Sequence, residues 1–327
     1  MANIETHYSG LKLKNPLIFG SSNYVTNLDN AKKLEDAGAS AIVYKSLFEE
    51  QIILDKIQHQ AESEENDFIH AEIGRIFPQI EHAGPEEHLL NLEKLKKSLS
   101  IPVIGSLNAI NSDSWLEYAK LLEKTGIDAL ELNFYSVPLD HTKSAKEIED
   151  EMYSNIKKIK DAIQIPVSVK LSPYFTNVFS VVKEIDTIGV DAVVLFNNFF
   201  QPDIDIDSQK HIIPYKFSAP SDIRHSLRYA GILYNEINAE ICASNGVYSA
   251  KDVIKLILAG ANTVQIVSAV YRQGPELISK ILNELEEWML VKNYNSIDDF
   301  RGILSKKEIK DPYVYKRAQY VDILMHT

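Results

Sequence analysis

The sequence predicts an α/β protein with the fold of a (β/α)8 barrel, or TIM barrel, from three observations. Eight short apolar segments recur along the 327-residue chain, most are followed by an amphipathic stretch, and each ends in a polar residue. Eight parallel strands that alternate with helices close into a barrel, whose active-site face lies at the carboxyl ends of the strands. The polar residues should therefore meet at one mouth of the barrel.

The eight predicted strands are short runs of five to seven residues, and many of these residues are β-branched. They are Pro16–Ser21, Ala41–Ser46, Pro102–Asn108, Ala129–Asn133, Pro166–Ser172, Ala192–Asn198, Glu240–Gly246 and Thr263–Ser268.

Helices are predicted where amphipathic stretches carry start and stop signals. One of them begins with Pro85 in its first turn, and acidic residues follow. In the next, Ser112 or Asp113 is the expected N-cap, and Gly126 ends the helix. The predicted ranges are 28–37, 84–99, 112–125, 144–163, 218–237 and 274–293.

Four segments lie outside this repeat. Residues 1–14 are expected to form an N-terminal hairpin that closes the bottom of the barrel, and 199–218 alternate like a second small hairpin. The insertion 47–84 is either a lid over the mouth or a solvated surface excursion. The tail from Ser296 is expected to fold back along the barrel. Because the repeat leaves no linker, we expect residues 1–327 to form a single domain.

Composition limits the possible functions and locations. The net charge of −12 argues against non-specific binding to nucleic acid and against a basic membrane surface. The start of the chain has no signal-peptide pattern, and no apolar run approaches the length of a membrane span, so we expect a cytoplasmic protein that does not bind membranes. The single cysteine, Cys242, excludes a disulfide framework or a cysteine-held iron–sulfur cluster within this chain, and we expect no metal site.

The last two β/α units predict a phosphate site. Asn245 and Gly246 follow the seventh strand, and Ser268 follows the eighth. Loops after these two strands often bind phosphate in such barrels, because small residues let backbone N–H groups approach the anion. A glycine after a strand can also serve only as a turn.

Two lysines end buried strands. Lys45 and Lys170 should either face the mouth or extend to the surface, because a lysine buried in a strand is costly. A cation beside a reducible ring would stabilise the negative charge that builds up on reduction.

Asparagines end three of the predicted strands. Asn108, Asn133, Asn197 and Asn198 offer both donors and acceptors, which suits imide-like or carboxamide-like edges of a ligand. Asparagine is also a common turn residue, so the argument depends on several occurring together.

The ordered strand-end motifs resemble the dihydroorotate dehydrogenase family over about residues 5–290. They are GSS, YKS, SLN, ELN, VKLSP, FNN, SNGVYSAKDVIKLILAGA and VQIVSAVYRQGP. The resemblance implies an FMN-dependent enzyme that oxidises dihydroorotate to orotate in pyrimidine biosynthesis. A base would remove the C5 proton while C6 gives a hydride to the flavin. It also implies a homodimer. With no cysteine cluster and no apolar N-terminal helix, a soluble electron acceptor such as fumarate fits better than a quinone.

The resemblance also implies roles for individual residues. The flavin would lie against Gly20, Ser21, Lys45, Ser46, Asn108 and Asn133, with Lys170 near its N1–C2=O edge and its phosphate on Asn245, Gly246 and Ser268. The substrate would be held by Asn133, Asn197 and Asn198, and the catalytic groups would be Ser136, Lys170 and Lys45.

The chain departs from the family pattern on the substrate side. The family loop N-x-S-[C/S]-P-N reads here Asn133-Phe134-Tyr135-Ser136-Val137-Pro138, so Ser136 stands where the base belongs but one asparagine is missing. An N-x-x-G-x-x-N stretch after the second strand is not evident. Three other functions stay open: a flavoenzyme for another cyclic amide or enone-like substrate, a barrel that binds FMN or phosphate without turnover, and an isomerase or aldolase with Lys170 as a Schiff-base lysine.

Overall fold

The computed structural model describes residues 2–51, 53, 85–109, 111–135, 137–198, 201–214, 216–316 and 318–325. The strands are β1 (Thr6–Tyr8), β2 (Leu11–Leu13), β3 (Leu17–Phe19), β4 (Ala41–Val43), β5 (Leu47–Phe48), β6 (Val103–Asn108), β7 (Ala129–Asn133), β8 (Val167–Leu171), β9 (Ala192–Leu195), β10 (Asp203–Asp205), β11 (Lys210–Ile212), β12 (Glu240–Ala243) and β13 (Thr263–Ile266). The helices are α1 (Leu28–Asp36), α2 (Pro85–Ser98), α3 (Ser112–Lys124), α4 (Ala145–Ala162), α5 (Val178–Ile188), α6 (Ile223–Leu233), α7 (Ala250–Ala259), α8 (Ser268–Gln273), α9 (Leu277–Val291) and α10 (Ala318–Met325).

Within these residues, eight parallel strands close into a barrel, which confirms the predicted fold class. Around the ring the order is β3, β4, β6, β7, β8, β9, β12 and β13, and β13 pairs with β3 to complete it. All eight predicted strands are present. The short β5 is additional, and it pairs with the last two residues of β6.

Alternation along the strands separates two layers of side chains. Leu17 and Phe19 of β3 point outward to the helices, whereas Ile18 points into the barrel. In β8, Val167, Val169 and Leu171 likewise join the outer layer. Because successive residues of a strand face opposite sides, the residues between them, among them Lys170, face the interior. The fold therefore aims the polar strand-end residues at the mouth.

The N-terminal hairpin closes the bottom of the barrel, as predicted. Strands β1 and β2 pair antiparallel, and the fully buried Tyr8 packs with residues of the barrel interior, such as Ile18 and Cys242. The second predicted hairpin is also present, as β10 and β11.

The tail beyond α9 folds back along the barrel, again as predicted. The backbone N–H groups of Gly302 and Leu304 donate to the carbonyls of Ile257 and Leu258 at the end of α7, both over 2.9 Å. Asn3 forms a bridge with Ser296, so the two ends of the barrel chain meet.

One predicted N-cap is wrong. Helix α3 is capped by Asn111, whose side chain accepts a hydrogen bond from the backbone N–H of Ser114 over 2.9 Å, and Ser112 and Asp113 already lie within the helix. Asn111 is further fixed by Glu49, which accepts from its backbone N–H over 2.9 Å. In α4, the predicted start is confirmed by a capping box between Ser144 and Glu147.

Most of the 47–84 insertion, residue 52 and residues 54–84, lies outside the described residues, as does Ser136. Among the helices that are described, none has the length and apolar character needed to cross a membrane.

Candidate active site

A cavity of about 390 Å³ opens at the carboxyl ends of the strands. This volume falls in the range of small-molecule and cofactor sites. Most of the residues predicted from the sequence to form the site meet in its wall. They are Ser21, Lys45, Ser46, Asn133, Lys170, Asn197, Asn198, Asn245, Gly246 and Ser268.

Lys170 lies at the floor of the cavity and is held from below. Its ammonium donates to the side-chain carbonyl of Gln265 over 2.9 Å and lies 3.5 Å from a carboxylate oxygen of Glu131. Gln265 in turn donates its amide to the other oxygen of Glu131 over 2.6 Å. The lysine therefore faces the mouth and does not extend to the outer surface.

Serine hydroxyls from the ends of β3 and β4 and from within β6 form a chain on one side of the cavity. The Ser21 and Ser46 hydroxyls are 3.2 Å apart, and Ser46 is 2.7 Å from the hydroxyl of Ser106 deeper in the barrel. The Ser21 hydroxyl also accepts the backbone N–H of Ser46 over 3.0 Å. This chain fixes the ends of β3 and β4 against β6.

Gly20 lies just behind this wall, where there is no room for a side chain. A Cβ there would lie 2.8 Å from Cγ2 of Val267 and 3.1 Å from Oε1 of Gln265. The glycine therefore lets the backbone after β3 run close to the end of β13.

Two of the predicted asparagines form a pair that faces the cavity, and Asn108 lies behind that pair. Asn197 donates its amide to the side-chain carbonyl of Asn133 over 2.8 Å, and both line the cavity. Asn108 does not line the described cavity wall. It is buried and donates its amide to the backbone carbonyl of Asn133 over 2.6 Å. Asn198, at the rim, donates to the backbone carbonyl of Lys216 over 3.3 Å.

The residues that were predicted to bind phosphate lie at a compact turn and beside it. Asn245 and Gly246 both adopt left-handed backbone angles, with φ of 74° and 68°. A Cβ on Gly246 would lie 2.3 Å from the backbone nitrogen of Ile223, so only glycine fits against the start of α6. The Ser268 hydroxyl accepts the backbone N–H of Ser218 over 3.1 Å and lies 3.0 Å from its hydroxyl.

The cavity is positive, although the whole chain carries a net charge of −12. Three lysines, Lys45, Lys170 and Lys216, line it, and no aspartate or glutamate does so among the described residues. Burial lowers the pKa of Lys45. Behind the wall, burial together with the charge of Lys45 lowers the pKa of His88 to about 4. An anionic ligand would offset the positive charge of Lys45 and Lys216, which have no ion pair among the described residues.

Several residues in the cavity wall or behind it were not predicted from the sequence. Gln265 and Glu131 stand inside strands, and a polar residue at an inward position of an apolar strand was the available signal. Ser218, Phe217 and Lys216 come from the second insertion and carry no comparable signal. Among the described residues, no group of three His, Cys, Asp or Glu side chains could hold a metal ion.

Comparisons with known proteins converge on one family. The family model described as dihydroorotate dehydrogenase matches residues 3–289. The catalytic subunit of dihydroorotate dehydrogenase B (NAD+) from Thermoplasma volcanium is 30% identical over 314 residues, which cover 94% of this chain and 100% of that protein. The subunits of the same name from Methanocaldococcus jannaschii and Pyrococcus furiosus are 27% and 26% identical, covering 89% and 93% of this chain and 94% and 99% of their own lengths. The chain belongs to the dihydroorotate dehydrogenase family.

Proposed function

We propose that this protein oxidises dihydroorotate to orotate, a step of pyrimidine biosynthesis, with FMN as its bound cofactor. The observation that carries the proposal is the cavity at the strand ends, which combines three lysines with paired amides and has no acidic residue among its described lining. Dihydroorotate is a cyclic imide with a carboxylate, so it presents the edges and the charge that this wall can bind. Family membership places the chain among oxidoreductases that act on a CH–CH group.

The wall also fits FMN. Gly20 and Gly246 mark two places where the backbone comes so close to its neighbours that a Cβ has no room, which suits a flat ring and a phosphate held close to the main chain. Ser21, Lys45 and Ser46 would hold the ring side, and Asn245, Gly246 and Ser268 the phosphate. When bound, FMN supplies the acceptor for the hydride.

The chain's own residues supply binding, charge and proton handling. Lys170 presents a fixed ammonium to the cavity, where it would stabilise negative charge on the ring. Asn197 keeps the carbonyl of Asn133 engaged, which leaves the amide N–H group of Asn133 to meet a carbonyl of the substrate. Ser136 would take the C5 proton. Because a serine hydroxyl is a weak base, it needs a neighbouring acceptor such as Tyr135 or water.

Re-oxidation of the flavin needs an electron acceptor. The sequence favours a soluble acceptor such as fumarate. The names of the similar archaeal proteins include NAD+ and the words catalytic subunit. Re-oxidation by NAD+ through a second subunit is therefore the alternative to test. The homodimer, the cytoplasmic location and the single domain over 1–327 stay predictions.

The experiment is an anaerobic visible spectrum of the purified protein before and after dihydroorotate is added. We expect the absorption band of oxidised flavin, and we expect the substrate to bleach it. A persisting band would direct attention to another cyclic amide, in keeping with the missing loop asparagine. The absence of a flavin band, even after FMN is added, would overturn the cofactor and the function together. Adding fumarate or NAD+ to the bleached protein then tests the acceptor.

A further inference from the structure

Three buried polar side chains cross the barrel directly beneath the cavity. Glu131 on β7 is fully buried, Gln265 on β13 is 2% exposed, and the side chain of Lys170 on β8 is 9% exposed. β7 and β8 are neighbours in the ring, whereas β13 lies across the barrel from them. The three side chains therefore connect opposite walls below the site.

The chemistry of the three groups fixes how Gln265 is oriented. A lysine ammonium only donates hydrogen bonds, and an ionised carboxylate only accepts them. The carbonyl oxygen of Gln265 must therefore face Lys170, at 2.9 Å, and its N–H group must face Glu131, at 2.6 Å. The amide is a bridge that can be made in one orientation only.

Glu131 and Lys170 form an ion pair inside the barrel. In the described part of the chain, Lys170 is the one cation within 4.0 Å of the Glu131 carboxylate, at 3.5 Å. Tyr8 and Cys242 also face Glu131 inside the barrel, and burial raises the pKa of Cys242 to about 12 and that of Tyr8 well above its ordinary value, so both stay neutral. A buried charge without a partner is strongly destabilising.

Lys170 differs in this respect from the other lysines of the cavity. Lys45 and Lys216 line the same wall, and neither has an ion pair among the described residues. Lys216 is exposed and Lys45 is half-buried, whereas Lys170 is almost fully buried. Only the ammonium at the floor is both removed from water and matched by a carboxylate.

We propose that Glu131 and Gln265 are positioning residues that hold the Lys170 ammonium in place and direct it at the ring in the cavity. The proposal rests on the proposed function only in taking that ring to be FMN. Without the Glu131 carboxylate, the buried Lys170 amine loses its counter-ion and is no longer held at the floor of the cavity. The cavity then loses the cation that stabilises a reduced ring, so the reduction potential of the bound flavin falls.

The first test uses the protein without cofactor. Amine acetylation by acetic anhydride needs the neutral amine, and mass spectrometry reports it lysine by lysine. In E131Q we expect Lys170 to be acetylated several-fold faster than in the unmodified protein, while Lys45 in the same cavity keeps its rate. A Lys170 rate that is no higher in the variant overturns the proposal. This test remains valid if the protein binds no FMN, so the two proposals fail separately.

The second test is a double-mutant cycle on the reduction potential of bound FMN, with E131Q, K170M and both changes together. We expect E131Q alone to lower the potential by at least the equivalent of a tenfold change, about 30 mV for two electrons. In the K170M background, E131Q should leave the reduction potential unchanged. A rise of the potential in both backgrounds would mean that Glu131 acts directly by its own charge, and that result overturns the proposal. Should E131Q not fold, Q265M takes its place, because it removes the bridge that orients Lys170 while keeping both charges. The potential should then fall through the loss of that orientation, and an unchanged potential overturns the proposal.

Discussion

The amide of Asn197 donates to the side-chain carbonyl of Asn133 over 2.8 Å, across the gap between the ends of β9 and β7. Asn133 is the last residue of β7 and Asn197 follows β9, so the bond spans the end of β8 and holds the substrate side of the cavity together. Asn108 supports the same point from behind through the backbone carbonyl of Asn133.

We expect Asn197→Ala to weaken the binding of dihydroorotate without removing the flavin. The change deletes one amide of the wall and frees Asn133 to turn, and a lost polar contact of this kind costs about 1–3 kcal/mol. The KM for dihydroorotate should rise about tenfold or more, as measured by steady-state kinetics. Asn177→Ala is the control, since it removes the N-cap of α5 away from the cavity. If both variants raise KM equally, the wall assignment is wrong.

Gly246→Ala should destabilise the protein and abolish tight flavin binding. The new Cβ would meet the backbone nitrogen of Ile223 at 2.3 Å, in addition to the left-handed strain of about 1–2 kcal/mol. Gly126→Ala is a matched control, because Gly126 has a φ of 80° but open space around the Cβ position. Urea unfolding should show a clearly larger loss for Gly246→Ala, and equal losses would contradict the close packing at this turn.

His88 should make stability fall in weak acid. Its pKa of about 4 lies below the ordinary value of 6.5, so protons bind the unfolded chain more readily. The contribution of His88 to the free energy of unfolding is fully present above about pH 6.5. It is lost as the pH falls towards 4, by up to about 3 kcal/mol. His88→Phe should flatten this part of the stability–pH curve measured by urea unfolding. His141→Phe, at an exposed loop position, should leave the curve as it is.

Ser136→Ala should slow flavin reduction by dihydroorotate while the visible spectrum of the oxidised protein stays the same. Loss of a general base typically costs about 10²–10⁴-fold in rate. Stopped-flow reduction under anaerobic conditions measures this step alone. Tyr135→Phe, at a neighbouring wall residue, tests the helper role. An undiminished rate in Ser136→Ala would remove Ser136 from the mechanism.

The sequence was sufficient for the barrel because strand alternation and strand-end polarity are local patterns. Lys170 and Asn133 could be placed at the mouth from their positions in β8 and β7 alone. Ser218 could not, since it reaches Ser268 only through the path of the second insertion, which no local pattern determines. The prediction of the N-cap of α3 was wrong for a related reason. Asn111, Ser112 and Asp113 are all good caps, and the contact of Asn111 with the distant Glu49 distinguishes them.

The pairing of β3 with β13 has a consequence for how the chain acquires its structure. Leu17 lies beside Val264, and Asn3 lies beside Ser296, so the first and last parts of the barrel share one seam. During synthesis the amino-terminal strand has no partner on that side until the final β/α unit has left the ribosome. Contacts between such distant parts of a chain form late and slowly. The open edge of β3 is therefore the part of the nascent chain that most needs protection from aggregation.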